Sequence, residues 1–469
     1  MMLGWVLSLL VLVALVYGCR PLDRWRLRHM PGPSQLWLVG NLTALARKGD
    51  YVYYTELHKR FGAIFKVWTL GNVVVVATPA LCRQLLLRNS ARFTMPNLFA
   101  RGKDYDFQEA GLFLLRGEKA RTIRSAWHPM FHSGTLEGLT DMMHKAAAAT
   151  VQRMAAAARS KEPINAEALL SVMSQQIVTA AAFGVDITDA NTVLQEVSGK
   201  PYTVSKLTDD MRTFFRTFAN PKSIYFQLAT LIPIAVPLWR LLANWMPDQV
   251  HRAALDVRSR VIPFVEGLIR EHTAAVAGQE IDAKASGEMD GRSGVAAGSF
   301  LDLLVRTRHR STGAPLSDLE ICVQVVSMIV VGQESVTNAI SFCMYLLALH
   351  PDKADKLAAE IRGQPSNPDY TSLTEGFPYT EAVIQEALRL LPTGTTAMRQ
   401  TDRDLILEGY KVPKGTRVMA SIYAVHHDEN VWPHAESFIP ERHLSEDAVG
   451  APTQPYAWLG FGDGTRSQS

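Results

Sequence analysis

One stretch limits the fold more than any other. Ser317 to His350 reads as a single helix, opened by a Ser317–Glu320 capping-box pattern and ended at His350-Pro351. Leu319, Cys322, Val326, Ile329 and Leu346 lie among apolar residues on nearly every side. A helix that is apolar all round is buried through the centre of its domain. At about 1.5 Å per residue it would run about 50 Å, the width of a whole domain. The 469 residues allow about three ordinary domains. One large single-core enzyme domain is the competing reading, and this helix suits it.

The composition agrees with a packed body. It is 47% hydrophobic and 20% charged, which excludes a mostly disordered chain, a collagen-like chain and a multi-span transporter. Lys plus Arg number 48 against 45 Asp plus Glu, a net charge of +3. That balance argues against nucleic acid as a partner. The four cysteines, Cys19, Cys82, Cys322 and Cys343, show neither disulfide-scaffold density nor zinc spacing. They read as reduced thiols of a protein facing the cytosol. None follows Cys343.

Met1 to Cys19 carries no charged side chain, and Arg20, Arg24, Arg26 and Arg28 follow. Nineteen helical residues span about 28 Å, close to a bilayer core. Basic residues after the run keep that flank in the cytosol. Residues 1–19 are therefore expected to be a transmembrane anchor, with a cleaved signal peptide as the alternative. Residues 20–34 form a basic, Pro-rich hinge ending in Pro31-Gly32-Pro33-Ser34, and 35–469 form the body.

In the body, Ala63 to Ala77 reads as two strands around Gly71-Asn72. Helices are expected at Pro79–Arg88, through Glu118–Ala158, at Lys353–Gly363 and at Tyr379–Leu391. Ala274 to Ser299 reads as a flexible linker or exposed insertion. Ile224 to Trp239, interrupted by Pro233 and Pro237, is either buried core or a surface dipping into a membrane. From Thr393 the chain mixes short strands and turns.

Four motifs carry chemistry. The long helix holds Gly332-Gln333-Glu334-Ser335. A mid-helix glycine costs about 1 kcal/mol relative to alanine. The set reads either as a groove that holds water beside a reacting group, or as a close helix contact with a solvated Glu334. Glu386 and Arg389 sit at i and i+3 on one helix face. Phe438-Ile439-Pro440-Glu441-Arg442 follows, and the chain finishes Phe461-Gly462-Asp463-Gly464-Thr465-Arg466-Ser467-Gln468-Ser469.

In order and spacing these motifs resemble those of the microsomal cytochromes P450: elbow, hairpin, acid–alcohol helix, E-x-x-R, F-x-P-x-R and F-x-x-G-x-R. The stretch from Ala397-Met398-Arg399 to Pro413-Lys414-Gly415 looks most like the thromboxane-synthase-like group. The resemblance implies a mainly α fold with small β-sheets behind an N-terminal transmembrane helix. It implies a haem cofactor, with Arg124, Arg399, Phe461, Gly464 and Arg466 on the haem side. Glu386, Arg389 and Arg442 would form a buried network, and Gly332 would let the central helix bend over the haem. Glu334 and Ser335 would relay protons. Ala120 stands where the family has a tryptophan. Implied partners are NADPH-cytochrome P450 reductase, O₂, a small apolar substrate and the endoplasmic reticulum membrane, with the body on the cytosolic side.

The departure is at the end. The family pattern places its iron-ligand cysteine where this chain has Gln468. A neutral amide cannot push electron density onto iron as a thiolate does. The expectation is a monooxygenase fold, cut short in the haem loop and the helix after it, that is inactive as written. The alternative is a non-catalytic, membrane-anchored binding or scaffold protein of the same fold.

Overall fold

The computed structural model describes residues 21–36, 40–69, 71–88, 93–94, 112, 115, 117–184, 193–197, 199–217, 222–231, 236–286 and 298–461. The expected anchor at 1–19 lies outside them, as do Gly464, Arg466 and Gln468.

The N-terminal part builds one edge of the main sheet. Pro21–Arg26 (α1) is helical, so the expected hinge begins with a short helix. Pro31 then accepts from Lys66 N at 2.8 Å, which seats the elbow on the first strand. A Cβ on Gly32 would collide with the Lys66 carbonyl, so the close approach requires glycine there. Leu42–Lys48 (α2) and Asp50–Phe61 (α3) follow. Ile64–Trp68 (β1) and Asn72–Val76 (β2) pair antiparallel, with Trp68 opposite Asn72. The turn thus lies between Trp68 and Asn72 rather than on Gly71-Asn72, and Gly71 takes its positive φ of 124°. Pro79–Arg83 (α4) is α-helical, but Gln84–Arg88 widens into a π-type turn.

Phe93–Thr94 (β3) is a short strand. The expected helix from Glu118 is in fact two, Gly117–Trp127 (α5) and Ser133–Ser160 (α6), separated by the 3-10 turn His128–Phe131. Pro129 accounts for the break, because it has no N–H to continue an α-helix. Ala166–Phe183 (α7) is capped by Asn165, whose side chain accepts from Ala168 N at 3.0 Å. Val193–Val197 (β4) and Lys200–Thr203 (β5) form a hairpin that leads into Val204–Thr217 (α8).

Ile224–Leu231 (α9) and Val236–Trp245 (α10) occupy the second apolar stretch. Within it Ile224 is 54% exposed and Leu238 49%, and just past it Leu241 is 66%, Trp245 77% and Met246 61%. The buried-core alternative therefore fails for this face. Tyr225 Oη donates to Met246 O at 2.6 Å and ties the two helices together.

Gln249–Ser286 (α11) overturns the linker reading for residues 274–286. The composition there, rich in Ala with Gln, Glu and Lys, is helix-forming even where large apolar residues are few. Phe300–Arg306 (α12) starts at the cap Ser299. Asp318–Leu349 (α13) has both halves of the predicted capping box, Glu320 N to Ser317 Oγ at 3.3 Å and Ser317 N to Glu320 Oε2 at 3.0 Å. By length and composition it could cross a membrane, yet here it is the central core helix.

Pro351–Arg362 (α14), Tyr370–Glu375 (α15) and Pro378–Leu390 (α16) follow. Thr396–Thr401 (β6), the hairpin Leu405–Leu407 (β7) with Tyr410–Val412 (β8), and Arg417–Ser421 (β9) precede Ile422–His426 (α17). The main sheet runs β1-β2-β9-β6-β3, with β2 and β9 parallel. It has its own core around Val74, Val76 and Val418. The larger helical core gathers around α13 through Phe264, Phe300, Val326 and Ile329. The result is the expected class, mainly α with small sheets.

Candidate active site and its buried ion cluster

Glu386 and Arg389 lie one turn apart on α16, both at 0% exposure. Arg389 grips the carboxylate in a fork, Nε to Oε2 at 2.8 Å and Nη2 to Oε1 at 2.9 Å. Arg442 arrives on the 3-10 turn Pro440–His443 and donates Nε to Oε1 at 3.0 Å. Ile439 N adds a fourth bond at 3.0 Å, and His443 Nε2 a fifth at 2.9 Å. Burial alone would raise the Glu386 carboxyl. The bonds from His443 and Arg389 and the charges of both arginines outweigh it and hold the group at about 2.

Two guanidiniums face one carboxylate, so the cluster needs more negative charge than Glu386 supplies. Backbone carbonyls provide it. Arg389 Nη1 donates to His426 O at 2.6 Å, and Arg442 Nη1 donates to Pro433 O at 2.9 Å and to Gly450 O. The buried Trp432 ring lies 5.2 Å from the Arg389 guanidinium carbon and 5.8 Å from that of Arg442. Glu441 faces outward and binds Lys353 at 3.0 Å and Lys356 at 2.5 Å, fastening the same turn to α14.

His426 joins this cluster to the chain ahead of residue 462, and the motif reading missed it. Its Nε2 accepts from Leu459 N at 2.9 Å. The proton is therefore on Nδ1, which donates to Arg389 O at 3.1 Å. Full burial, helped by the Arg389 charge and His427, lowers its pKa to about 3, so the ring is neutral at working pH. The adjoining histidines and Trp432 were a sequence signal, but nothing in their spacing reveals a bond to a backbone amide. His426→Leu is expected to lower thermal stability more at pH 8 than at pH 5.5, where the unfolded histidine takes up a proton that the buried ring does not and the parent is already weakened. The substitution leaves a buried amide and a buried carbonyl unpaired, each at about 1–3 kcal/mol. An equal loss at the two pH values would contradict the buried neutral ring.

A cytochrome P450 family model matches residues 30–467. The chain belongs to the cytochrome P450 family. Among curated relatives it is 28% identical to thromboxane-A synthase of Sus scrofa, over 95% of this chain and 83% of that protein. It is likewise 28% identical to thromboxane-A synthase of Mus musculus, with the same coverage. Cytochrome P450 3A9 of Rattus norvegicus is also 28% identical, over 99% of this chain and 86% of that protein. P450s are haem monooxygenases that work with a redox partner, O₂ and a substrate.

Haem carries two carboxylates and an iron, and the residues present fit them unequally. Arg124 on α5 and Arg399 on β6 are both half-buried cations of the kind that suits a carboxylate. Arg399 Nη1 also donates to Met398 O at 2.9 Å. Phe461 is 51% exposed and packs edge-on against Trp458 at 5.3 Å. A thiolate for the iron is what the described residues do not offer. Burial pushes Cys82 and Cys322 up to about 12 and Cys343 up to about 11, so all three are neutral thiols. None lies beyond α13. No group of three or more metal-binding side chains occurs among the described residues. Among the described residues the donor set does not fit a thiolate-bound iron.

On α13, Glu334 and Ser335 are both half-buried. Gly332 faces α7: a Cβ there would lie 2.9 Å from Val178 Cγ2. That is the close helix contact weighed at the outset, and it puts the absent side chain to use as packing space. Burial, with the Glu167 charge, raises the Glu334 carboxyl, and Arg212 and Arg216 oppose the rise. A carboxyl whose folded pKa exceeds the ordinary 4.5 contributes stability while protonated and loses it as pH rises through the folded value. Glu334→Gln is therefore expected to match the parent at pH 4 and exceed it in thermal midpoint at pH 8. Equal midpoints across that range would refute the raised value.

Proposed function

We propose that the chain is built as a haem-thiolate monooxygenase body for a small, largely apolar substrate, and that with Gln468 in the ligand position it does not turn over. Three features support the body. They are the closed Glu386–Arg389–Arg442 cluster, the two half-buried cations Arg124 and Arg399, and the acid–alcohol pair Glu334-Ser335 on the central helix. The observation that carries the second half is Gln468 itself, in a chain with no cysteine after Cys343. Bound through a thiolate, haem would supply O–O bond cleavage. Here Arg124 and Arg399 would hold the carboxylate side, and that sulfur is lacking at Gln468.

Electrons would come from NADPH-cytochrome P450 reductase. No dinucleotide-binding glycine fingerprint follows a strand in this sequence. Residues 1–19 would anchor the body to the cytosolic face of the endoplasmic reticulum, with the exposed Leu241, Trp245 and Met246 meeting the membrane surface beside it. The relatives named thromboxane-A synthase support a substrate of the kind that group takes.

The second reading is a non-catalytic binding or scaffold protein of the same fold. It is favoured by the ion cluster, which closes among residues 386–450 without any thiolate. The purified full chain, supplied with haem, reduced and exposed to carbon monoxide, is expected to show no thiolate-type Soret band. A band at the thiolate position would overturn the assignment of Gln468.

A further inference from the structure

Helices α7 and α13 are packed antiparallel along their length: Ser171 meets Gln333, Val178 meets Gly332, and Leu170 and Met173 share a cluster with Ile340. Their interface is unusually polar for a core. On α7 the positions 167, 171, 174, 175 and 178 follow helical spacing and make one stripe. The stripe starts at the exposed Glu167. It continues through Ser171, Ser174 and Gln175, all 2% exposed or less, and ends where Val178 closes on Gly332.

The partners inside this seam are incomplete. Ser171 Oγ accepts from Gln333 Nε2 at 2.8 Å and from Arg212 Nη2 at 2.9 Å. Gln175 Nε2 donates to Thr179 Oγ1 at 2.6 Å. Four buried atoms have no hydrogen-bond partner among the described residues: Gln333 Oε1, Gln175 Oε1, Ser174 Oγ and Arg212 Nε. Two are acceptors, one is a donor and the hydroxyl is both. Left bare, each costs about 1–3 kcal/mol. Four such losses in one seam would take a large part of a typical folding free energy of about 5–15 kcal/mol. A mixed set of donors and acceptors on α7, α13 and, through Arg212, α8 is what water molecules can bridge.

We propose that the α7–α13 seam is a site for internal water, open to solvent at Glu167 and Arg212 and closed by Val178 on Gly332. A buried water makes about three hydrogen bonds, so about two waters satisfy the four atoms. Glu334, one residue on from Gln333, shares the charged mouth with Glu167, Arg212 and Arg216. The site needs no haem and stands apart from the functional reading above.

Ser174→Ala separates the wet seam from a dry one by sign. The Ser174 hydroxyl has no protein partner among the described residues, so its removal from a dry seam relieves an unpaired group and raises the thermal midpoint. Its removal from a hydrated seam loses a bond to water and lowers the midpoint, by about 1–3 °C for a chain this size. The measurement uses the full chain in detergent. A lowered midpoint is expected, and a raised or unchanged one overturns the proposal. A high-resolution crystal structure gives the second reading. Ordered water within hydrogen-bond distance of Gln333 Oε1 and Ser174 Oγ supports the site, and density for neither rejects it.

Discussion

Glu386→Ala is expected to leave little folded protein. Arg389 and Arg442 sit at 0% exposure, and Glu386 is the anion between them. Without it two guanidiniums face each other in a low-dielectric core, and Ile439 N and His443 lose their acceptor. Breaking one buried ion pair costs about 3–5 kcal/mol. Against a typical stability of about 5–15 kcal/mol, that is enough to unfold many domains. A fall of about 3–5 °C or more in the thermal midpoint, or loss of soluble protein, is the expected result. Lys356→Ala, which removes an exposed partner of Glu441, serves as the control and is expected to change little. A Glu386→Ala protein melting within a degree or two of its parent would remove the cluster from the centre of the fold.

The cluster also has a pH signature. The folded value of about 2 lies below the ordinary 4.5, so its stabilisation is complete above pH 4.5 and is lost as pH falls toward 2. The difference amounts to something on the order of 3 kcal/mol. Glu386→Gln is expected to be less stable than its parent at pH 7 and to converge on it in acid. Parallel stability curves for the two proteins between pH 2 and pH 5 would argue against an ionised Glu386.

The cluster was legible in the sequence only in part. Helical spacing puts Glu386 and Arg389 on one face, and the later F-x-P-x-R brings Arg442. The carbonyls of His426, Pro433 and Gly450 that balance the second guanidinium have no side-chain signature, so no motif could show them. The break at Pro129 was there to be read, and the run of helical periodicity on both sides hid it. Residues 274–286 were misread because low complexity was weighed above the helix propensity of alanine. Gly332 shows a different limit. The glycine was visible, but its partner Val178 lies far back in the chain, and only packing brings the two together. The anchor and the last motif residues, Gly464 and Arg466, rest on the sequence alone.

On the proposed reading, Gln468→Cys is expected to give the chain a thiolate-type carbon monoxide band that the parent lacks. The reasoning is chemical. A glutamine amide is neutral and a poor donor to iron, whereas a cysteine next to a metal ion ionises and binds as the thiolate. The three described cysteines cannot substitute, since burial holds each as a neutral thiol and none follows α13 in sequence. The change adds one ligand and leaves Arg124, Arg399 and the ion cluster untouched. Gln468→Ala separates the new sulfur from the mere loss of the amide, and is expected to stay without the band. If the parent already shows the band, Gln468 does not occupy the ligand position. If Gln468→Cys lacks it while its fold and thermal midpoint match the parent, the missing sulfur is not what silences this chain. The scaffold reading then accounts better for a body whose buried charges close without an iron.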